Sequence, residues 1–201
     1  MITKIVQIGK SSRFKIFLDD KFVCNLEGET IVKNKLAIGS EIDANTIERL
    51  QFESEKITAF EKAIDYLSRG IKSAKQMKTY LIQKGYLPAV CDHVLSKLSE
   101  YKYLNDQQYA HCYVRQHGSI KSSAMLRYEL MQKGIDKETA CQAVIDCDDF
   151  ACAKALVQKN AKNKTPDTKN KQKIIRSLMS KGFDYETIRS AMREVLDESW
   201  N

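Results

Sequence analysis

Two prolines and eight glycines in 201 residues leave little material for a turn-rich β architecture. Helix is the economical reading of a chain that is 43% hydrophobic. No apolar run approaches the eighteen or more residues of a bilayer-spanning helix, and the opening Met1-Ile2-Thr3-Lys4 has no signal-peptide core. Those absences predict a cytoplasmic protein with no membrane partner. The six cysteines (24, 91, 112, 141, 147 and 152) include no Cys-x-x-Cys pair, and His93, His111 and His117 are scattered. No metal-ligand set follows from such spacing. Free thiols in or near the core are expected instead, with Cys91, Cys141 and Cys147 on helices. No Ser-His-Asp order, isolated acid pair or Gly-rich cradle is present. Gly9-Lys10-Ser11 lacks the upstream glycine and the spacing of a phosphate loop. The expectation is a binder rather than an enzyme, with no cofactor, metal or catalytic residue.

What the chain does contain is a repeat. Leu130-Met-Gln-Lys133-Gly134-Ile135 matches Leu81-Ile-Gln-Lys84-Gly85-Tyr86 and Leu178-Met-Ser-Lys181-Gly182-Phe183, with glycines 49 and 48 residues apart. Periods of this size belong to helical repeat proteins. Met77, Leu126 and Ile174 stand eight before the glycine, and the leucines stand four before it, on one face of a helix. The glycine suits the residue just past a helix C-terminus, with lysine near the negative end of the dipole. Downstream, Pro88, Asp136 and Asp184 suit the start of a further helix carrying Leu95 and Leu98, Val144 and Cys147, or Met192 and Val195. Upstream, Phe60, Tyr109 and Phe150 supply an aromatic, the last after about seven inserted residues. Each unit therefore reads as three helices.

The boundaries follow. Residues 1–58 form an extension, 59–105 the first repeat, 106–147 the second and 148–201 the third. Only residues 1–26 alternate with period two: Ile2, Val6, Ile8, then Phe14, Ile16, Leu18, then Phe22, Cys24, Leu26. A small β-meander is predicted there, followed by a short helix from Gly28 to Leu36 closed by Gly39, and a helix from Asp43 to Leu50. The array begins near Ile57; Ser73 and Asp106 are candidate helix caps. Tyr109 and Tyr113, at helical spacing, read as core. The terminal helix runs from Asp184 through Leu196, with Trp200 beyond it.

A net charge of +7 favours an anionic partner. Residues 69–84 hold Arg69, Lys72, Lys75, Lys78 and Lys84 with no acid, so either a solvated lysine face or an anion-facing surface lies there. The second unit contributes Arg115, Lys121, Arg127 and Lys133. In the third, Lys154 to Lys181 carries nine cations against Asp167, centred on a polar loop, 160–171, that includes Lys162 and Lys164. Such a loop either tracks a phosphate backbone or serves as a solvated connector.

The second unit resembles the RecX regulators of the bacterial RecA recombinase in Leu104-Asn-Asp106, Tyr109-Ala110, Tyr113-Val114-Arg115, Glu129-Leu130 and Lys133-Gly134-Ile135. In the first unit Leu67-Ser68-Arg69, Lys72-Ser73 and Gln76-Met77 are similar to that family's Arg-x-x-Arg-Ser-x-x-Glu-Leu segment, with Lys, Gln and Met replacing Arg, Glu and Leu. The chain departs from the family at Ser122-Ser123, where many members have Gly-Pro, and at His117, where arginine is common. The resemblance spans roughly residues 59–200. It implies a mainly α, elongated, curved array of three tandem three-helix repeats behind a small N-terminal β-meander and helix extension. It further implies a monomer that binds the RecA–single-stranded DNA filament, with contact to double-stranded DNA as well, and that restrains ATP hydrolysis and strand exchange. The alternative is a sequence-independent nucleic-acid-binding repeat protein acting without a recombinase.

Overall fold

The computed structural model describes residues 1–162 and 165–196; the predicted site residue Lys164 and Trp200 lie outside them. The chain begins with three antiparallel strands in sequence order, β1 (Ile2–Gln7), β2 (Arg13–Leu18) and β3 (Lys21–Glu27). Asp19 and Asp20, both at positive φ, make the tight turn joining β2 to β3. The period-two reading holds only in part, because each pairing is irregular. The register shifts between Ile2 and Lys4, so Ile2 and Ile5 face the core while Val6 is exposed. A second shift, between Ile16 and Phe17, pairs Phe17 with Phe22. Phe22 is therefore turned outward, edge-on to Phe17, while Cys24 and Leu26 stay buried. An extra residue in one strand reverses the facing of everything beyond it.

Among the described residues ten helices follow: α1 (Gly28–Lys33), α2 (Ala44–Leu67), α3 (Ala74–Gln83), α4 (Pro88–Glu100), α5 (Asp106–His117), α6 (Ser123–Gln132), α7 (Lys137–Ala143), α8 (Asp149–Ala161), α9 (Thr168–Met179) and α10 (Tyr185–Val195). α1 stops at Asn34, short of the expected Leu36. The separate helices expected at 43–50 and from Ile57 are one helix, α2, because no Gly or Pro interrupts residues 44–67. Leu50 on its first half packs against Ile2, Ile16, Cys24 and Leu26 of the sheet. Ala59 and Ala63 on its second half pack against Met77, Leu81, Val94 and Leu98 of α3 and α4. One helix thus serves both the extension and the first repeat.

Local chemistry sets most helix starts. The Ser73 hydroxyl accepts from the Gln76 N–H while Gln76 accepts from the Ser73 N–H, a full capping box. Asp43, Asp136, Asp148, Asp167 and Asp184 each accept a backbone N–H three residues on. Asn105, not Asp106, caps α5. The predicted glycine stops hold, with φ of 89° at Gly85, 90° at Gly134 and 87° at Gly182. The polar connector is shorter than 160–171, since α8 continues to Ala161 and α9 starts at Thr168 behind its Asp167 cap.

The structure divides into two compact units, Met1–Leu104 and Asn105 onward. Within the second, α5–α7 pack around Tyr109, Ala110, Leu130, Ile135 and Ala140, and α8–α10 around Leu156, Val157, Ile174, Leu178, Ile188 and Met192. Phe150 is not the third unit's core aromatic and is 37% exposed. Counting from the caps Asn105 and Asp148, it is Cys152 that takes the place of Tyr109. The two helix sets interlock: the Ser122 N–H donates to the Lys181 carbonyl, and the Ser123 N–H and hydroxyl donate to Asp149. Cys147 lies past the end of α7, in a connector rather than a helix.

All six cysteines are free, with Cys24 and Cys91 buried. Burial first, then neighbouring acids such as Asp149, push the Cys147 and Cys152 thiols up, which keeps them protonated and slow to react. Thiol titration of the unreduced, denatured protein is expected to count six groups; any lower count would mean a disulfide.

Candidate functional site

The predicted cations of the first unit meet partners from outside their own stretch of sequence. Arg69 donates to Asp65 of α2 at 2.8 Å, and Lys78 on α3 to Asp92 of α4 at 2.6 Å. The run 69–84 contains no acid, but α2 and α4 bring carboxylates to it. Both pairs are exposed and therefore weak. Lys72 Nζ sits 4.9 Å over the Tyr66 ring, Tyr66 stacks on Tyr80 at 4.1 Å and 9°, and Lys84 Nζ lies 5.5 Å over Tyr80. The structure thus joins Lys72, Tyr66, Tyr80 and Lys84 in a single cation–π stack across α2 and α3. Lys75 is exposed on α3.

In the second unit Lys121 is internal. Its Nζ donates to both Glu129 oxygens, at 2.6 and 2.7 Å, and the pair is about three-quarters covered. The Tyr113 hydroxyl donates to the same carboxylate at 2.7 Å. Lys133 Nζ lies 5.1 Å over the Tyr113 ring, and the His117 ring is 4.4 Å away. Burial raises the Glu129 carboxyl, but donation from Lys121 and Tyr113 with the Lys121 charge outweighs it and holds the group below the ordinary carboxylate range. Burial, then donation to Glu129, pushes Tyr113 well up, so it stays a neutral donor. Lys121 is a structural residue, which its charge in the sequence did not reveal. Arg115 and Arg127 are exposed on α5 and α6. Lys162, exposed, ends α8.

One cationic feature of the second unit escaped the sequence reading. A cleft of about 250 Å³ between α9 and α10 is lined by Lys171, Arg189 and Arg193 with Ile175, Tyr185 and Met192, and among the described residues no carboxylate lines it. Arg189 and Arg193, four apart on an amphipathic helix, were the available signal. Among the described residues no group of three or more His, Cys, Asp or Glu could hold a metal ion, and no helix is long and apolar enough to cross a membrane. The exposed cations suit phosphate and carboxylate groups.

A small sheet, a helix shared with the first repeat, and capped three-helix units carrying exposed cations define a tandem helical-repeat protein. Known proteins sharpen that class. The family models described as RecX, first, second and third three-helix domain match residues 59–98, 105–144 and 146–192. The chain is 33% identical to the regulatory protein RecX of Bacillus subtilis (strain 168), over 96% of this chain and 76% of that protein. It is 31% identical to the regulatory protein RecX of Clostridium botulinum (strain Alaska E43 / Type E3), over 98% and 96%. A crystal structure of regulatory protein RecX superposes with a TM-score of 0.65 at 26% identity, covering 94% of this chain and 98% of that one. The RecX structure from Lactobacillus salivarius gives 0.61, also at 26% identity, covering 70% and 96%. The chain belongs to the RecX family of regulatory proteins.

Proposed function

We propose that this chain is a modulator, mainly an inhibitor, of a RecA-type recombinase. It acts in the cytoplasm as a monomer, without cofactor or catalysis of its own, in DNA repair and the SOS response. It binds the recombinase–single-stranded DNA filament, contacts DNA, and restrains ATP hydrolysis and strand exchange. Membership of a regulatory family supports the reading. The observation that carries it is the set of cations at the surface of helices whose apolar faces are already spent on the core: exposed Lys75 and half-buried Lys78 on α3, exposed Arg115 on α5 and exposed Arg127 on α6. Such charges complement phosphates and acidic protein surfaces and raise the rate of encounter.

The test is recombinase ATPase on single-stranded DNA with increasing amounts of this protein. Lys75→Glu with Lys78→Glu is expected to leave folding intact, since exposed substitutions shift stability by about 0.5 kcal/mol or less. The concentration needed for half-inhibition should rise about tenfold, the result of losing roughly 1.4 kcal/mol of binding. Unchanged inhibition across a range of salt would take the contact away from α3 and toward Arg115 and Arg127. Inhibition that depends only on DNA binding, with a steep salt slope, would favour a nucleic-acid binder acting without the recombinase.

A further inference from the structure

The first unit holds a groove that this reading leaves unused. It opens between α1, the middle of α2 and α4, with a volume of about 700 Å³, large enough for a nucleotide-sized ligand. Four cations line it, Lys33, Arg49, Lys56 and Lys97, together with His93. Three carboxylates also line it, Glu29, Glu53 and Glu61. Lys56 is committed to Glu53 at 2.5 Å. Lys33, Arg49 and Lys97 are exposed, and their side chains make no hydrogen bond or ion pair among the described residues. Donation from Lys56, then the nearby charges of Lys56 and Lys33, hold Glu53 below the ordinary range despite its burial. Burial, then Lys56 and Lys97, push His93 down, so it remains neutral. With its acids ionised and His93 neutral, four cations against three carboxylates leave the lining one net positive charge.

A further feature, the aromatic rim, points to the ligand. At the rim, Phe60 meets Tyr101 edge-on at 6.1 Å, and Tyr101 meets Tyr103 at 6.1 Å. Tyr101 and Tyr103 nevertheless remain 53% and 58% exposed, two large rings held at the surface beside unpaired cations. Single-stranded nucleic acids are held by this pairing of rings that stack bases with cations that track the backbone. An acidic peptide would use the cations and leave the rings idle.

We propose that this groove seats a short stretch of single-stranded DNA, with a base stacked on Tyr101 and phosphates neutralised by Lys33, Arg49 and Lys97. The choice of DNA over RNA rests on the functional reading above; the groove itself rests on its own residues. The experiment is fluorescence anisotropy of a labelled dT 12-mer with the full chain and no recombinase. Lys33→Glu with Lys97→Glu is expected to weaken binding about tenfold and to flatten the salt slope by about 1.4, for two contacts at about 0.7 each on a single strand. Tyr101→Ala should weaken it about fivefold or more while leaving the slope unchanged. A dT 12-mer carrying 5-iodouracil should cross-link the unmodified protein at Tyr101 or Tyr103, a readout independent of how any variant folds. Parent-like binding by both variants overturns the proposal, as do cross-links confined to other residues. So does equal affinity for an abasic 12-mer or a polyglutamate of the same charge, or tighter binding of an rU 12-mer. A protein that inhibits the ATPase yet leaves free dT 12-mer unbound overturns the groove alone. One that binds dT with these signatures and leaves the ATPase untouched overturns only the functional reading.

Discussion

Gly182→Ala is expected to destabilise the protein by about 3 kcal/mol, roughly three times the effect of Gly85→Ala, although the two glycines occupy matching repeat positions. Both sit at nearly the same positive φ, 87° and 89°, so each substitution carries about 1 kcal/mol of backbone strain. Around Gly85 an added Cβ meets nothing within 4 Å. At Gly182 it would stand 2.6 Å from the Met125 Cβ and 2.7 Å from the Ser122 Oγ. A Cβ cannot swing aside, and the Ser122 hydroxyl is engaged in capping α6. Relief requires moving the end of α9 from the start of α6, against the Ser122 to Lys181 hydrogen bond. In thermal unfolding of the full chain, Gly182→Ala should lower the melting temperature by about 10 °C and Gly85→Ala by about 3 °C. Equal losses would mean that the contact between α6 and the end of α9 carries no packing energy.

Glu129→Ala is expected to cost about 2–3 kcal/mol, because it strands a largely covered ammonium and a phenol hydroxyl at once. Glu129→Gln retains an acceptor for Tyr113 and removes the charge, which isolates the ionic part. The Glu129 carboxyl is held below its ordinary value in the folded state, so the stabilisation is complete above the unfolded pKa, about 4.3, and is lost as pH falls through the folded value. The stability gap between parent and Glu129→Gln should therefore be largest near pH 7 and shrink below about pH 4. Denaturant titrations at pH 7 and pH 3 measure it. A gap that does not change with pH would show that the Lys121–Glu129 charge pair contributes nothing. Lys121→Glu would be a poor probe of any binding surface, since it places a second carboxylate against Glu129.

The sequence by itself determined the repeat, its three-helix content, the helix stops and most of the caps. These are short-range facts: a helix face recurs every three to four residues, a cap reaches three residues, and a positive-φ stop needs one glycine. The family was legible for the same reason, because Tyr109, Tyr113, Glu129 and Gly134 mark local positions in one repeat. Tertiary structure decided what depends on elements remote in sequence. Register shifts chose which face Val6 and Phe22 present, and α2 proved to be shared between the sheet and the first repeat. Counter-charges came through packing, Asp92 of α4 for Lys78 of α3 and Glu129 of α6 for Lys121 in the connector before it, turning residues alike in sequence into one exposed pair and one largely covered pair. The groove of Lys33, Arg49, Lys97 and Tyr101 is assembled from three helices whose cations are spread over 65 positions and form no run. Charge acts through space and is modulated by burial, and neither distance nor burial between separate helices is encoded in the spacing along any one of them.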